Sequence, residues 1–168
     1  MNFFPGKDEK KKEQLVEEII LKKYNSYYRL AYSFVHKESD AEDIVQNMAY
    51  NALRAAGDLR NPEYAETWIY RILMNEIFKL QKRPENFSYE EYMEKTGNEG
   101  KNVEDTYEDV DLMRTLDELP KKDKLLVELR FFEDRTLEEI ALILGENVNT
   151  VKSRLYRSLK KMRIMLEE

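Results

Sequence analysis

The last part of the chain concentrates side chains that can bind nucleic acids. Between Val148 and Leu166 there are six Lys or Arg residues and no Asp or Glu. The polar residues that lie off the apolar stripe of this segment are Asn149, Thr150, Lys152, Ser153, Arg154, Tyr156 and Arg157. Arginine reads guanine through two hydrogen bonds, and Lys, Ser and Thr hold phosphates or base edges. The segment predicts a DNA-reading helix; the alternative is a helical hairpin whose basic face is only solvated.

The residues before this segment have the layout of a helix-turn-helix. Thr136 and Glu139 form a capping-box pattern that predicts the start of a short first helix. Gly145 supplies a left-handed turn residue, and Asn147 is a good N-cap for the second helix. Ala141 is small where the two helices cross, and the predicted shared core comprises Ile140, Leu144, Val151 and Leu155. Such a unit holds the second helix rigidly, with its first turn directed at a major groove.

Two polar surfaces are predicted in the N-terminal half. The first follows a capping-box pattern at Ser39 and Glu42, which predicts the start of a helix that stops near Gly57, a left-handed cap. It comprises Asp40, Glu42, Asp43, Gln46 and Asn47. This acidic face suits a basic protein partner, and the alternative is the ordinary preference of acidic residues for a helix N-terminus. The second is a stripe of Arg71, Asn75, Lys79 and Lys82, spaced by about one helical turn, which either follows a phosphate backbone or is only solvated.

Composition excludes several classes of chemistry. The chain has no cysteine and a single histidine, His36, so a disulfide framework, a metal site and a catalytic triad are not expected. Paired carboxylates occur throughout, with no nucleophile or metal cluster beside them, so we expect neither an enzyme nor a cofactor. No apolar run approaches the roughly 20 residues of a membrane span, and the first residues have no signal-peptide core. A cytoplasmic protein is therefore predicted.

Helices must position these residues. The 168 residues include 37% charged residues but only five Gly and four Pro, which is typical of helices and linkers. The net charge of −6 is uneven, because residues 85–118 carry −9 while the residues before and after them carry +1 and +2. Apolar residues recur at helical spacing on both sides of this acidic stretch. We predict an all-α chain with a flexible segment 1–14, a helical domain 15–83, an acidic linker 84–108 and a second helical domain 109–168.

Three strings of residues resemble one protein family. The stretch 137–157, with Thr150-Val-Lys-Ser-Arg-Leu-Tyr-Arg157, resembles the promoter-reading helix-turn-helix of extracytoplasmic-function (ECF) sigma factors of the sigma-70 family. The strings Ser39-Asp-Ala-Glu-Asp-Ile-Val-Gln46 and Thr67-Trp-Ile-Tyr-Arg-Ile-Leu-Met-Asn75 are similar to the two most recognisable strings of that family's domain two. All three occur in the family's order, and the resemblance covers about residues 15–83 and 109–166.

The resemblance implies a dissociable subunit of bacterial RNA polymerase that directs promoter-specific initiation. Domain two would bind core polymerase through the acidic face and capture the melted −10 element. The residues implied for the −10 element are the stripe and a base-capture loop, namely Leu59, Arg60, Asn61, Arg71, Asn75 and Lys79. Domain four would read the −35 element in duplex form through the residues of the predicted DNA-reading helix. An anti-sigma protein would cover the polymerase-binding faces.

The chain departs from the family's pattern at turns. Glu146 stands where an apolar residue is usual, and Asp134 stands where glycine is common. In the family an aromatic and a basic residue usually precede the Thr67–Trp68 pair, and this chain has Ala65 and Glu66 in those two positions. The resemblance also implies that the linker threads a basic channel of the polymerase, and the alternative is a solvated tether.

Two other function classes compete with a sigma factor. A stand-alone helix-turn-helix regulator that acts as a dimer would explain the C-terminal motif but would leave the strings at 39–46 and 67–75 without a role. A helical adaptor that binds only proteins would leave the basic helix without one. Co-purification with core polymerase separates the first hypothesis from the other two.

Overall fold

The structure, a computed structural model, describes residues 6–81 and 103–167. The chain forms two compact units, Met1–Pro84 and Glu85–Glu168. Across the described residues the elements are helices and no strand occurs, which confirms the prediction of an all-α chain with two helical domains. The predicted acidic linker, 84–108, lies outside the described residues as far as residue 102.

The first unit packs three long helices around one core. They are α1 (Lys7–Val35), α2 (Glu38–Arg54) and α3 (Ala65–Gln81), and the short 3-10 turns Ala56–Asp58 and Pro62–Tyr64 lie between α2 and α3. Each helix turns an apolar face inward. The large side chains of that core are fully buried and include Tyr27, Ile44, Met48, Ile69, Tyr70, Leu73 and Ile77. The rings of Tyr27 and Tyr70 meet edge to face with centroids 5.3 Å apart, which ties α1 to α3.

The first helix begins earlier than the sequence predicted. It starts at Lys7, so residues 7–14 belong to α1 and not to the flexible segment predicted for 1–14. The early turns lie against the 3-10 turn that follows α2. The ammonium group of Lys12 donates a hydrogen bond to the carbonyl oxygen of Gly57 at 3.5 Å, and the side chain of Glu9 lies beside the same glycine. These tertiary contacts accompany a helical start that the sequence pattern alone did not indicate.

Two predicted turn signals of the first unit are wrong. No side chain caps α2. The helix already begins at Glu38, one residue before Ser39, and the Ala41 amide donates to the carbonyl oxygen of Lys37 at 3.0 Å. Gly57 lies in a 3-10 turn and does not have a positive φ, so it is not the left-handed cap that was expected. The left-handed residue of this unit is His36, with a φ of 54°, which ends α1.

The second unit is built from four helices in its described part. They are α4 (Val103–Glu118), α5 (Lys121–Phe131), α6 (Leu137–Leu144) and α7 (Val148–Glu167). Helix α4 begins at Val103 rather than near residue 109, so it takes in the last residues of the predicted linker. The fully buried core side chains include Leu116, Leu125, Leu126, Leu129 and Ile140. Lys124 is also buried and forms an ion pair of 2.6 Å with Asp117, which joins α5 to the end of α4.

Candidate nucleic-acid interface

The predicted helix-turn-helix is present in α6 and α7. Thr136 caps α6, because its hydroxyl oxygen accepts a hydrogen bond from the amide of Glu139 at 3.1 Å. Gly145 ends α6 with a φ of 68°, a left-handed conformation that costs glycine little. The side-chain oxygen of Asn147 then accepts from the amide of Asn149 at 2.8 Å and caps α7. All three predicted turn signals are therefore confirmed.

The packing between α6 and α7 also follows the prediction. The four residues of the predicted shared core are buried, with Ile140 and Val151 fully inaccessible. The small side chain of Ala141 is buried as well, and its carbonyl oxygen accepts a hydrogen bond from the amide of Glu146 at 3.0 Å. This packing leaves the opposite face of α7 to solvent.

Six of the seven predicted DNA-reading residues of α7 are exposed. They are Asn149, Thr150, Lys152, Ser153, Tyr156 and Arg157. Tyr156 is exposed to 64%. The exposed polar residues occupy the first three turns of the helix, the part that reaches base edges when a recognition helix lies in a major groove.

Arg154, the seventh predicted residue, is held within the protein. Its Nη1 donates to both carboxylate oxygens of Glu146 at 2.6 and 2.7 Å, and its Nε donates to Oδ1 of Asp123 at 3.1 Å. The side chain is 22% exposed. The hydrogen bond to Glu146 raises the pKa of the Arg154 guanidinium above its usual value despite partial burial, and the charges of Glu146 and Asp123 act in the same direction.

The predicted −10 stripe lies on the outer face of α3. Arg71, Asn75 and Lys79 are all exposed and follow one another at intervals of four residues. In an α-helix this interval places side chains above one another on one face. The geometry is therefore that of a polar stripe a little over two turns long, with the buried face of α3 behind it; Lys82, the fourth predicted residue of the stripe, lies outside the described residues.

The predicted base-capture loop differs in one residue from the expectation. Leu59 is only 3% exposed, so its side chain belongs to the core and is not presented to a base. Arg60 and Asn61 are exposed. The side-chain oxygen of Asn61 accepts from the amide of Glu63 at 3.1 Å and caps the 3-10 turn that begins at Pro62. Leu59 thus packs inside the unit in this structure, and its predicted contact with a base stays a prediction.

The predicted polymerase-binding face lies along the first turns of α2. Glu42, Asp43, Gln46 and Asn47 are exposed, and Asp40 is half-buried. The negative charge of this region reaches the neighbouring helix. Burial is the first cause that raises the pKa of Tyr28 on α1, and the carboxylates of Glu38 and Glu42 add to it. The carboxylates of Glu38 and Glu42 therefore act on a side chain of the neighbouring helix as well as on solvent.

The acidic face and the −10 stripe meet at a cleft that the sequence did not predict. The cleft has a volume of about 110 Å³ and is lined by Asp43, Ile44, Asn47, Glu76, Lys79 and Leu80. Glu76 is buried, and its carboxylate accepts a hydrogen bond from the side-chain amide of Asn51 at 2.8 Å. Glu76 lies three residues after Leu73 and seven after Ile69, so helical spacing places it on the buried face of α3, but its pairing with Asn51 depends on how α2 packs against α3.

We find no candidate metal site and no candidate membrane-spanning helix among the described residues. Within residues 6–81 and 103–167, no group of three or more His, Cys, Asp or Glu side chains is placed to hold a metal ion. A membrane span would also need a longer apolar stretch than any helix in the described part of the chain provides.

Two family models match this chain, one in each of its two units. Residues 19–84 match the family model for sigma-70 region 2, and residues 109–162 match the model for sigma-70 region 4. The chain is 48% identical over 145 residues to the RNA polymerase sigma factor SigV of Bacillus subtilis, covering 83% of this chain and 84% of that protein. It is 30% identical over 154 residues to the ECF RNA polymerase sigma factor SigE of Mycolicibacterium smegmatis, covering 88% of this chain and 60% of that protein.

Two solved structures share the fold at 21% sequence identity. The structure of CnrH in complex with the cytosolic domain of CnrY has a TM-score of 0.69, covering 90% of this chain and 87% of that one. The sigma factor RpoE in complex with the anti-sigma factor NepR from Bartonella quintana has a TM-score of 0.67, covering 90% of this chain and 96% of that one.

Proposed function

The chain belongs to the ECF group of the sigma-70 family and is an RNA polymerase sigma factor, and we propose from this membership which partner each of its surfaces binds. The first unit binds core polymerase and the melted −10 element, and the second unit reads the −35 element in duplex DNA. The protein acts by binding and not by catalysis, in the cytoplasm where bacterial transcription takes place.

The observation that carries the −35 assignment is the geometry of α7. Its first three turns present polar and basic side chains, and the capped turn and buried core behind them hold the helix in one orientation. Lys152 and Arg157 supply positive charge for phosphates and base edges. The proposed −35 surface is completed by Asn149, Thr150, Ser153 and Tyr156.

The acidic face of α2 is proposed as the polymerase-binding surface. Its exposed carboxylates and amides provide a patch that is complementary to a basic protein surface. The proposed contact residues are Asp40, Glu42, Asp43, Gln46 and Asn47. Asp43 lies at the centre of this patch and also lines the cleft next to α3.

The stripe on α3 and the loop before it are proposed to hold the −10 element. Arg71 and Lys79 are exposed cations that suit a phosphate backbone, and Asn75 between them adds hydrogen-bonding capacity. Arg60 and Asn61 are the exposed loop residues proposed to contact an unstacked base, which proteins read by its hydrogen-bonding edge. Because this stripe adjoins the acidic face, one unit can bind the polymerase and the melted strand side by side.

We also propose that an anti-sigma protein regulates the chain. One protein of the same fold was solved with an anti-sigma factor bound. Several large apolar side chains of this chain are exposed and suit such a partner, including Leu21, Tyr50, Phe131, Phe132 and Leu142. A stand-alone helix-turn-helix regulator remains less well supported, because it uses only α6 and α7 and gives the region 2 match no role.

In vitro transcription with core polymerase tests the proposed function. The chain is mixed with core enzyme and a library of promoter fragments, and the transcripts are sequenced. We expect start sites that share one upstream and one downstream element and that need both chain and core enzyme. Transcripts that do not depend on the chain, or binding of the chain to duplex DNA as a dimer without core enzyme, would contradict the proposal.

A further inference from the structure

We propose that Arg154 is a positioning residue that sets the orientation of α7 and does not itself read a base. The inference rests on the proposed −35 function of α7 and changes the role of one residue within it. Sequence pattern groups Arg154 with Lys152 and Arg157, but its environment in the structure separates it from both.

The guanidinium of Arg154 joins three parts of the second unit. Asp123 lies in the first turn of α5, Glu146 lies in the turn between α6 and α7, and Arg154 lies in the second turn of α7. The distances to Glu146, 2.6 and 2.7 Å, are those of short charge-assisted hydrogen bonds. We call these three residues the Arg154 clamp.

The planar shape of the guanidinium makes the clamp directional. Because Nε bonds to Asp123 and Nη1 bonds to Glu146, the plane of the group is defined by two carboxylates on different segments. Rotating α7 about its own axis, or sliding it along the axis, would break one of these contacts. The clamp therefore fixes which side chains of α7 face the DNA.

The same contacts leave Arg154 poorly suited to base reading. Reading guanine takes two N–H groups of one guanidinium directed at O6 and N7, and the Nε and Nη1 groups already bond within the protein. The three side chains of the clamp are only 20–22% exposed. The ammonium of Lys122 lies 3.8 Å from Glu146 and brings a second cation, so two carboxylates face two cations and little net charge is directed at DNA.

The opposite hypothesis is that the carboxylates hold a base-reading arginine only until DNA arrives. The two hypotheses predict effects of opposite sign when the carboxylates are neutralised. If Arg154 positions α7, the double variant Asp123→Asn/Glu146→Gln loses discrimination. If Arg154 reads a base, the same variant releases it and discrimination is kept or improved.

The test measures discrimination with holoenzyme assembled from the full chain and core polymerase. Discrimination is the affinity for a promoter selected by the wild-type chain divided by the affinity for the same fragment with a scrambled upstream element. Using this ratio cancels the uniform gain in DNA affinity that follows any loss of negative charge. The variants are Arg154→Gln, the double variant, Arg157→Gln as a proposed reader, and Glu138→Gln, an exposed carboxylate of α6, as the matched control. Circular dichroism at the assay temperature verifies that each variant is folded.

We expect the ratio to fall about fivefold in both Arg154→Gln and the double variant, and to stay unchanged in Glu138→Gln. On fragments with single base-pair changes in the upstream element, Arg154→Gln should reduce the affinity difference caused by each change to a similar extent at every position. Arg157→Gln should instead lose preference at particular base pairs.

Two results would overturn the inference while leaving the proposed function intact. They are a loss of preference at a single base pair in Arg154→Gln, or a ratio in the double variant equal to or above that of the wild type. A wild-type ratio of one would be a different failure, because it would remove the −35 function itself and the inference with it.

Discussion

The two units of this sigma factor make their turns by different means. In the second unit each turn around α6 is specified by a local signal: Thr136 caps the helix, Gly145 ends it and Asn147 starts the next one. In the first unit the corresponding signals at Ser39 and Gly57 are not used, and the turn after α2 instead lies against the beginning of α1. Local chemistry therefore shapes the helix-turn-helix, whereas a tertiary contact accompanies the turn after α2 in the three-helix bundle.

The proposed surfaces differ in the same way. The −35 surface comes from one helix and was visible as a run of polar residues. The two surfaces of the first unit come from α2 and α3 and meet at a cleft that involves the buried Glu76. Substitutions in the second unit should thus affect one function at a time, and substitutions near the cleft should reveal how closely two functions adjoin.

The largest expected effect is on polymerase binding by the first unit. Asp43→Lys should weaken association with core polymerase more than about tenfold, because like charges facing each other across an interface cost several kcal/mol. The binding of a fluorescently labelled chain to core enzyme, followed by anisotropy, measures it. Glu18→Lys, on the exposed side of α1, makes the same charge change and should leave the affinity near that of the wild type. Equal losses in both variants would argue against the acidic face.

A matched pair of glycines tests how each unit makes its turns. Gly145→Ala should destabilise the second unit by about 1–2 kcal/mol, because a Cβ is strained at a φ of 68°. Gly57→Ala should cost little or stabilise the first unit slightly, since the added Cβ would meet Glu9 at an ordinary 3.5 Å.

Urea unfolding of the full chain separates these two effects. The one tryptophan, Trp68, lies in the first unit and reports its unfolding by fluorescence, while circular dichroism reports both units. The comparison would be reversed if Gly57→Ala strongly shifted the unfolding transition reported by Trp68 fluorescence while Gly145→Ala left the transition seen by circular dichroism unchanged.

A pair of hydroxyl residues gives a smaller effect of the same kind. Thr136→Ala removes the observed cap of α6 and should cost about 1 kcal/mol. Ser39→Ala removes a hydroxyl that does not cap α2 and should change the unfolding free energy very little. Calorimetry of the two variants measures the difference, and a cost at Ser39 equal to that at Thr136 would show that α2 uses its predicted capping box after all.

The smallest expected effect is on the salt dependence of promoter binding. Lys152→Ala should lower the slope of log affinity against log salt by about 0.9, as expected for one lost contact to a duplex phosphate. Lys79→Ala should lower it by about 0.7, because the stripe on α3 is proposed to bind a single strand. Titrations of holoenzyme on one promoter at several salt concentrations give both slopes, and an unchanged slope in either variant would remove that lysine from the DNA surface.

Much of the helix-turn-helix was predictable because its signals are local. The caps at Thr136 and Asn147, the turn at Gly145 and the buried pair Ile140 and Val151 each follow from neighbours within a few residues. The surroundings of Leu59 and Arg154 were not predicted from the sequence. Leu59 is only 3% exposed, and Arg154 bonds both to Glu146, eight positions away, and to Asp123, 31 positions away.

The sequence alone determined the helical class, the division into two helical domains, the family and the positions of the polar surfaces. Those properties follow from apolar spacing, residue type and motif order, which are carried by short stretches of chain. Only the tertiary structure decided that residues 7–14 extend α1, that Glu76 is buried beside both surfaces of the first unit, and that Arg154 lies between two carboxylates. Burial and ion pairing of this kind depend on which helices are brought together, and no short stretch of chain contains that information.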